Sequence, residues 1–245
     1  MGRPLTNQKR GKGSPAYRTP GHRFIAKVTY PEFGKDTRGQ IIGFALDPAR
    51  STPLAHVMTE DGNELALLAA EGLAVNDEIR LGYEAEKGIG NVSSLGALPD
   101  GTPVFNVEIR PRDGGKLLRA TGATGTIIMH DEDTNLVKIK LGTSSKRILN
   151  LSPECRATVG VAAGGGRKEK PFKKAGNKVK AMKARNKYYP KVRGSAMNAC
   201  DHPHGGKSIG KPSTVGKDTP PGRRVGHVAA RQTGRKKRRQ RRSER

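Results

Sequence analysis

Five side chains that could do chemistry stand close together: Asn198, Cys200, Asp201, His202 and His204, in the run Asn-Ala-Cys-Asp-His-Pro-His. Histidine titrates near neutrality, so general acid or base catalysis is chemically open to His202 and His204. Catalysis also needs a group that holds a substrate, and the neighbouring sequence supplies none. A cysteine beside two histidines could ligate a metal, but structural zinc takes about four ligands in paired spacings, and no second Cys/His pair is near. No metal site, no catalytic residue and no cofactor is therefore expected. The remaining chemistry is hydrogen bonding. Asn198 and the two histidines can bond bases or riboses. Asp201 is expected to hold amides of its own loop, because a carboxylate beside phosphate is repelled.

Two nearby runs imitate nucleotide loops. Gly205-Gly-Lys-Ser-Ile-Gly-Lys-Pro212 approaches the pattern G-x-x-x-x-G-K-[ST], but Pro212 takes the place of the hydroxyl that would hold Mg²⁺. Gly164-Gly-Gly166 lacks the G-x-G-x-x-G spacing. Followed by Arg167 and Lys168, it suits a bare backbone that meets phosphates.

The charge says what partner these residues face. The chain of 245 residues carries 47 Lys+Arg against 22 Asp+Glu, net +25. Residues 1–40 hold net +7, residues 41–150 net −4, and residues 151–245 net +22. Such a field draws nucleic acid or an anionic membrane. No apolar run approaches the ~20 residues of a spanning helix, and the first residues lack the apolar centre of a secretory signal. Nucleic acid is the expected partner, with no membrane. Two cysteines, Cys155 and Cys200, are too few for a disulfide framework, which points to a reducing, cytoplasmic setting. Aromatic residues are scarce, with no Trp, 5 Tyr and 5 Phe. Phosphate and shape should therefore dominate recognition over base stacking, as in binding to folded RNA.

The elements that position these residues are short. Residues 1–36 are Gly, Pro and basic residues with one candidate strand, Phe24 to Thr29; the rest is expected to order on a partner. Strands are expected at Gln40–Leu46, Ala55–Glu60, Glu64–Leu68 and Ile79–Tyr83, with Asp61-Gly62-Asn63 as a hairpin turn. Glu64 to Glu71 could equally be a helical turn by propensity. Further strands are expected at Val104–Ile109, Thr126–His130, Leu136–Leu141, Lys146–Leu151 and Arg156–Val161. This makes a mainly β protein of two small barrels, each of a size at which one core is marginal alone. No leucine follows Leu151, so the last third cannot build a core of its own. Within it, Lys178 to Arg185 suits a short basic helix. Gly234 to Arg245 is an arginine-rich block suited to clamping phosphates.

Several motifs carry a resemblance. They are Arg156-Ala-Thr-Val-Gly-Val, Ala163-Gly-Gly-Gly-Arg167, Lys170-Pro, Lys174-Ala-Gly-Asn177 and Lys191-Val-Arg-Gly-Ser-Ala-Met-Asn198, then Asp201-His-Pro-His-Gly-Gly206, Gly210-Lys-Pro and Pro221-Gly-Arg-Arg-Val-Gly226. Together they resemble the ribosomal protein L-two family of the large subunit, in its archaeal and eukaryotic cytosolic form, the archaeal above all. The likeness is densest from 153 to 231.

The resemblance implies an OB-fold barrel followed by a Src-homology-3-like barrel, with long basic extensions at both ends. The divisions are an extension over 1–36, the first barrel over 37–103, the second barrel with the basic helix over 104–192, and an extension over 193–245. It implies a structural, non-enzymatic part in the large ribosomal subunit, bound to its ribosomal RNA close to the peptidyl-transferase centre. Support for subunit association, tRNA placement and peptide-bond formation is implied with it. The partners are then that RNA, neighbouring ribosomal proteins and the small subunit, with one copy per ribosome. RNA contacts are expected from Arg3, Lys9, Arg10, Lys12, Arg18 and Arg23 in the first extension. Around the basic helix they are expected from Arg167, Lys168, Lys170, Lys173, Lys174, Lys178, Lys180, Lys183, Arg185 and Lys191. In the last extension they are expected from Arg193, Asn198, His202, His204, Lys207, Lys211, Arg223, Arg224, Arg231 and Arg235. A DNA-packaging protein would need neither the near-neutral barrels nor the fixed glycines. An RNA-processing enzyme would need a complete acid/base site.

Overall fold

The computed structural model describes residues 2–31, 36–83, 85–142, 147–167, 169–207 and 214–230. It divides into two compact units, Pro20–Lys173 and a second made of Met1–Thr19 with Lys174–Arg245.

Pro20–Lys173 is built on one continuous ladder of short strands. The strands are β1 (Thr37–Ala45), β2 (Leu54–Thr59), β3 (Glu64–Leu68), β4 (Glu78–Leu81), β5 (Val92–Ser94), β6 (Pro103–Phe105), β7 (Gly125–Asp131), β8 (Leu136–Leu141), β9 (Ile148–Leu151) and β10 (Arg156–Val159). Their order is β3-β2-β1-β4-β5-β10-β6-β7-β8-β9. The chain is mainly β, an OB-fold barrel followed by a Src-homology-3-like barrel. One core gathers Ile41, Val57, Leu67, Ile79, Leu81 and Val92 from the first five strands. Another gathers Val104, Ile127, Val137, Ile139, Leu151, Ala157 and Val159 from the last five. Leu54, Leu68 and Phe105 belong to a third cluster.

The hairpins follow the turn chemistry. Gly62 takes φ +77°, and the β2–β3 turn closes with Thr59 N–H on the Asn63 carbonyl at 3.0 Å. Glu64–Leu68 is a strand and not a helical turn, because it pairs with β2 in register from Met58↔Glu64 to Leu54↔Leu68. The β7–β8 hairpin forms around the acidic run Asp131-Glu-Asp-Thr-Asn135, with Asn135 at φ 50°.

Two expected strands change. Val104–Ile109 stops as a strand at Phe105, since Asn106 turns to φ 50° and only Val107 bridges on to Leu117. Phe24–Thr29 forms no strand. Its alternation is real, with Val28 buried and Ile25 exposed, but arginines take the place of a neighbouring strand. The Ala26 carbonyl accepts from Arg50 Nη2 at 3.1 Å, the Val28 carbonyl from Arg119 Nη2 at 3.1 Å, and the Pro31 carbonyl from Arg156 Nη1 at 2.6 Å. Val28 and Tyr30 insert into the cores. This end of the first extension is therefore part of the barrel unit rather than a partner-ordered arm.

The second unit contains α1 (Thr6–Gly11), α2 (Ala175–Ala184) and a parallel pair, β11 (Thr214–Val215) with β12 (His227–Val228). The basic helix starts three residues before the expected Lys178, after Lys174 in extended conformation. Helix α1 has no counterpart among the expected elements; Gln8 Oε1 accepts the Leu5 amide at 2.9 Å and anchors its start. Among the described residues of this unit only Leu5 and Gly205 are buried, which agrees with the loss of leucine after Leu151.

Candidate nucleic-acid interface

The histidine loop is held by its own backbone. Met197 and Asn198 carbonyls accept from Gly206, Asp201 and His202 amides at 3.0, 3.0 and 3.2 Å, and the His202 carbonyl accepts from Gly205 at 2.9 Å. Two glycines are set by close packing within this loop. A Cβ on Gly194 would fall into the His202 imidazole, and one on Gly205 would strike the Met197 and Asn198 carbonyls.

The histidines touch each other. The His204 amide donates to His202 Nδ1 at 3.0 Å, and the ring centroids are 5.0 Å apart. An Nδ1 that accepts has no proton, so neutral His202 carries its hydrogen on Nε2 and offers a donor there. Burial, and then the neighbouring His204, hold the His202 pKa below its ordinary value. Asp201 does not hold the loop's amides. Its Oδ1 meets Arg3 Nη1 at 3.1 Å, while the Arg3 amide donates to the Cys200 carbonyl at 2.7 Å. Pairing to a cation from the first residues serves the carboxylate better than loop amides already engaged with carbonyls. Among the described residues, no group of three or more His, Cys, Asp or Glu could hold a metal.

Beside the loop lies a groove of about 1050 Å³. Arg10, Arg18, Lys178, Arg185, Lys187 and Lys191 line it, together with Tyr17, Tyr188, Tyr189 and His202, and among the described residues no carboxylate does. Asn186, at φ 50°, draws the two chain segments together: its Nδ2 donates to the Arg18 carbonyl at 3.0 Å and the Pro15 carbonyl at 3.3 Å. Lys178 Nζ sits 5.1 Å from the Tyr189 ring centroid. The groove thus brings together five of the expected contacts, Arg10, Arg18, Lys178, Arg185 and Lys191, with His202.

The other expected residues distribute around it. Lys9 and Lys12 lie at the end of α1, and Lys174, Lys180 and Lys183 along α2, all exposed. Arg193 precedes the turn Gly194–Ala196, and Asn198 and Lys207 are exposed on the loop. His204 is half-buried, with Nε2 shut off from water and without a partner among the described residues. Arg223 and Arg224 follow Pro221, with Arg224 Nη2 on the Lys217 carbonyl at 2.6 Å. Arg23, Arg167, Lys170 and Lys173 are exposed on the barrel unit, where Arg167 Nη1 reaches the Ser51 carbonyl at 3.4 Å. Lys168, Lys211, Arg231 and Arg235 lie outside the described residues, as does the arginine block.

Lys187 and the tyrosines were not among the expected contacts. The signal was present in Asn186-Lys-Tyr-Tyr-Pro190, where paired aromatics interrupt a basic run. Among the described residues of this unit the only carboxylates are Asp201 and Asp218, so little neutralises the groove's charge. No helix among the described residues is long and apolar enough to cross a membrane.

Known proteins match this chain over most of its length. The family model described as Ribosomal Proteins L2, C-terminal domain, matches residues 88–225. A large ribosomal subunit protein uL2 of Natronomonas pharaonis is 48% identical over 240 residues, covering 96% of this chain and 97% of that protein. The uL2 proteins of Methanothermobacter thermautotrophicus and Methanococcus maripaludis are 44% and 48% identical, each aligned over its full length and over 97% and 96% of this chain.

Proposed function

This chain belongs to the ribosomal protein L2 family, and on that premise we propose that it is a structural constituent of the large ribosomal subunit in the cytoplasm. In that role it binds large-subunit ribosomal RNA near the peptidyl-transferase centre, beside neighbouring ribosomal proteins, as a single copy. It supports subunit association and tRNA placement, and it performs no chemistry of its own. For this function we divide the chain at 1–36, 37–103, 104–192 and 193–245. The barrels, with the end of the first extension packed into them, give a rigid base, and the rest of the extensions follows RNA.

One observation carries the reading: the cationic groove and the histidine loop form on a unit whose described residues include only two carboxylates. Such a surface gains from phosphate neutralisation and counterion release. The loop argues against catalysis. Its His202 Nδ1 is spent on the His204 amide, so a base that could take a proton at that atom is occupied. The test is co-sedimentation of the full chain with large subunits, followed by crosslinking to locate the RNA. Sedimentation apart from large subunits at physiological salt would overturn the assignment.

A further inference from the structure

We propose that the groove is a receptor for unpaired nucleotides of RNA, with a base stacked on Tyr188 and the His202 Nε2–H as the hydrogen-bond donor that faces it. The inference rests on the RNA-binding reading above and adds a ligand class and a binding mode to it.

A volume of about 1050 Å³ lies just above the ~300–1,000 Å³ range of drug-sized sites. It exceeds what a lone phosphate needs. The lining matches a nucleotide in its parts. Arg10, Arg18 and Lys187 suit phosphates, and the aromatic residues Tyr17 and Tyr188 line the same groove. Tyr188 is 42% exposed and makes no ring contact among the described residues, whereas Lys178 lies against the ring of Tyr189. An exposed aromatic ring in a cationic groove has an unfilled apolar face that only a planar or apolar group covers. His202 adds directionality. With Nδ1 occupied, its Nε2–H is a fixed donor for a base nitrogen or carbonyl, or for a ribose hydroxyl. An acidic peptide would match the cations but leave the ring face bare. The basic tail of this chain would be repelled.

The test uses large subunits reconstituted with wild-type chain, Tyr188→Ala or Tyr188→Phe, irradiated with ultraviolet light and digested with ribonuclease and protease. Mass spectrometry then reads nucleotide adducts on each peptide. The wild-type peptide spanning 186–191 should carry a nucleobase adduct. Relative to adducts elsewhere on the same chain, Tyr188→Ala should reduce it tenfold or more, and Tyr188→Phe should retain it. Adducts elsewhere on the chain with none on 186–191 would overturn the nucleotide groove and leave the RNA-binding reading standing. No adducts anywhere on a chain that does not join the subunit would sink that reading itself. In parallel, a carbodiimide should join neither Lys187 nor Lys191 to carboxylates of another protein. If it does, the occupant is an acidic protein segment and the proposal fails.

Discussion

The Arg156 guanidinium meets the Glu108 carboxylate at 2.9 Å with both side chains almost wholly shut away from water, at 1% and 0% exposure. Both Glu108 oxygens and all three guanidinium nitrogens of Arg156 are engaged. Glu108 also accepts the Arg156 and Gly114 amides at 2.9 Å each, and Arg156 reaches the Pro31 carbonyl. The guanidinium lies over the Tyr30 and Tyr83 rings, 5.4 and 5.7 Å from their centroids. One ion pair thereby ties the end of the first extension to the strand that joins the barrels.

Glu108→Ala should therefore be among the most damaging single changes. It leaves a buried guanidinium uncompensated, which typically costs ~3–5 kcal/mol. Urea unfolding of the full chain, followed by tyrosine fluorescence, should show a loss of that size, with Glu108→Gln losing less because one acceptor remains. A loss below about 1 kcal/mol for the alanine variant would show that the network is not what holds the pieces together.

The two cysteines should separate by reactivity. Burial, and then the Glu108 charge, push the Cys155 thiol up to about 11 from 9.0, while Cys200 is exposed. Iodoacetamide at pH 8 should label Cys200 in the native chain and Cys155 only on unfolding, as read by peptide mass spectrometry. The neutral thiol is the form the fold prefers. Its contribution to stability is complete below the unfolded value and is lost as pH rises from about 9 to about 11.

Hydrogen exchange on the free chain should divide at the unit boundary. Amides in the ladder of Pro20–Lys173 lie over three apolar clusters and should exchange slowly. The other unit, with only Leu5 and Gly205 buried among its described residues, should exchange fast until RNA is added. Slow exchange continuing uniformly to residue 230 in the free chain would contradict this.

His204→Gln should cost roughly tenfold or less in peptide-bond formation, about 1.4 kcal/mol, when measured in subunits that contain equal amounts of each variant. The His204 link to His202 runs through its backbone amide, which glutamine retains. Lost acid/base catalysis would cost ~10²–10⁴-fold with a changed pH–rate profile near neutrality. Gly194→Ala should be worse for assembly than His204→Gln, because its Cβ displaces the His202 ring.

What could be read in the sequence was local. Asp61-Gly62 announces its hairpin because a tight turn needs φ > 0, and the loss of leucine after Leu151 announces a unit without a core. What could not be read depends on partners far along the chain. Phe24–Thr29 has strand-like alternation, yet its carbonyls find Arg50 and Arg119, the latter 91 residues from Val28. Asp201 finds Arg3, 198 residues away. Glu108 and Arg156 look like surface charges until β10 brings them together. The aromatic part of the groove was hidden by composition, since few aromatics overall says nothing about three that line one groove.

Strand β10 pairs with β5 through Arg156↔Ser94 and with β6 through Thr158↔Phe105. In a chain made from the amino end, β5 is synthesised about sixty residues and β6 about fifty residues before the strand that joins them. Until residue 159 has emerged, the nascent protein carries two open sheet edges, each able to recruit a foreign strand. Its vulnerable interval is thus defined by distance along the message, and a chaperone that covers the chain through that interval would protect it best.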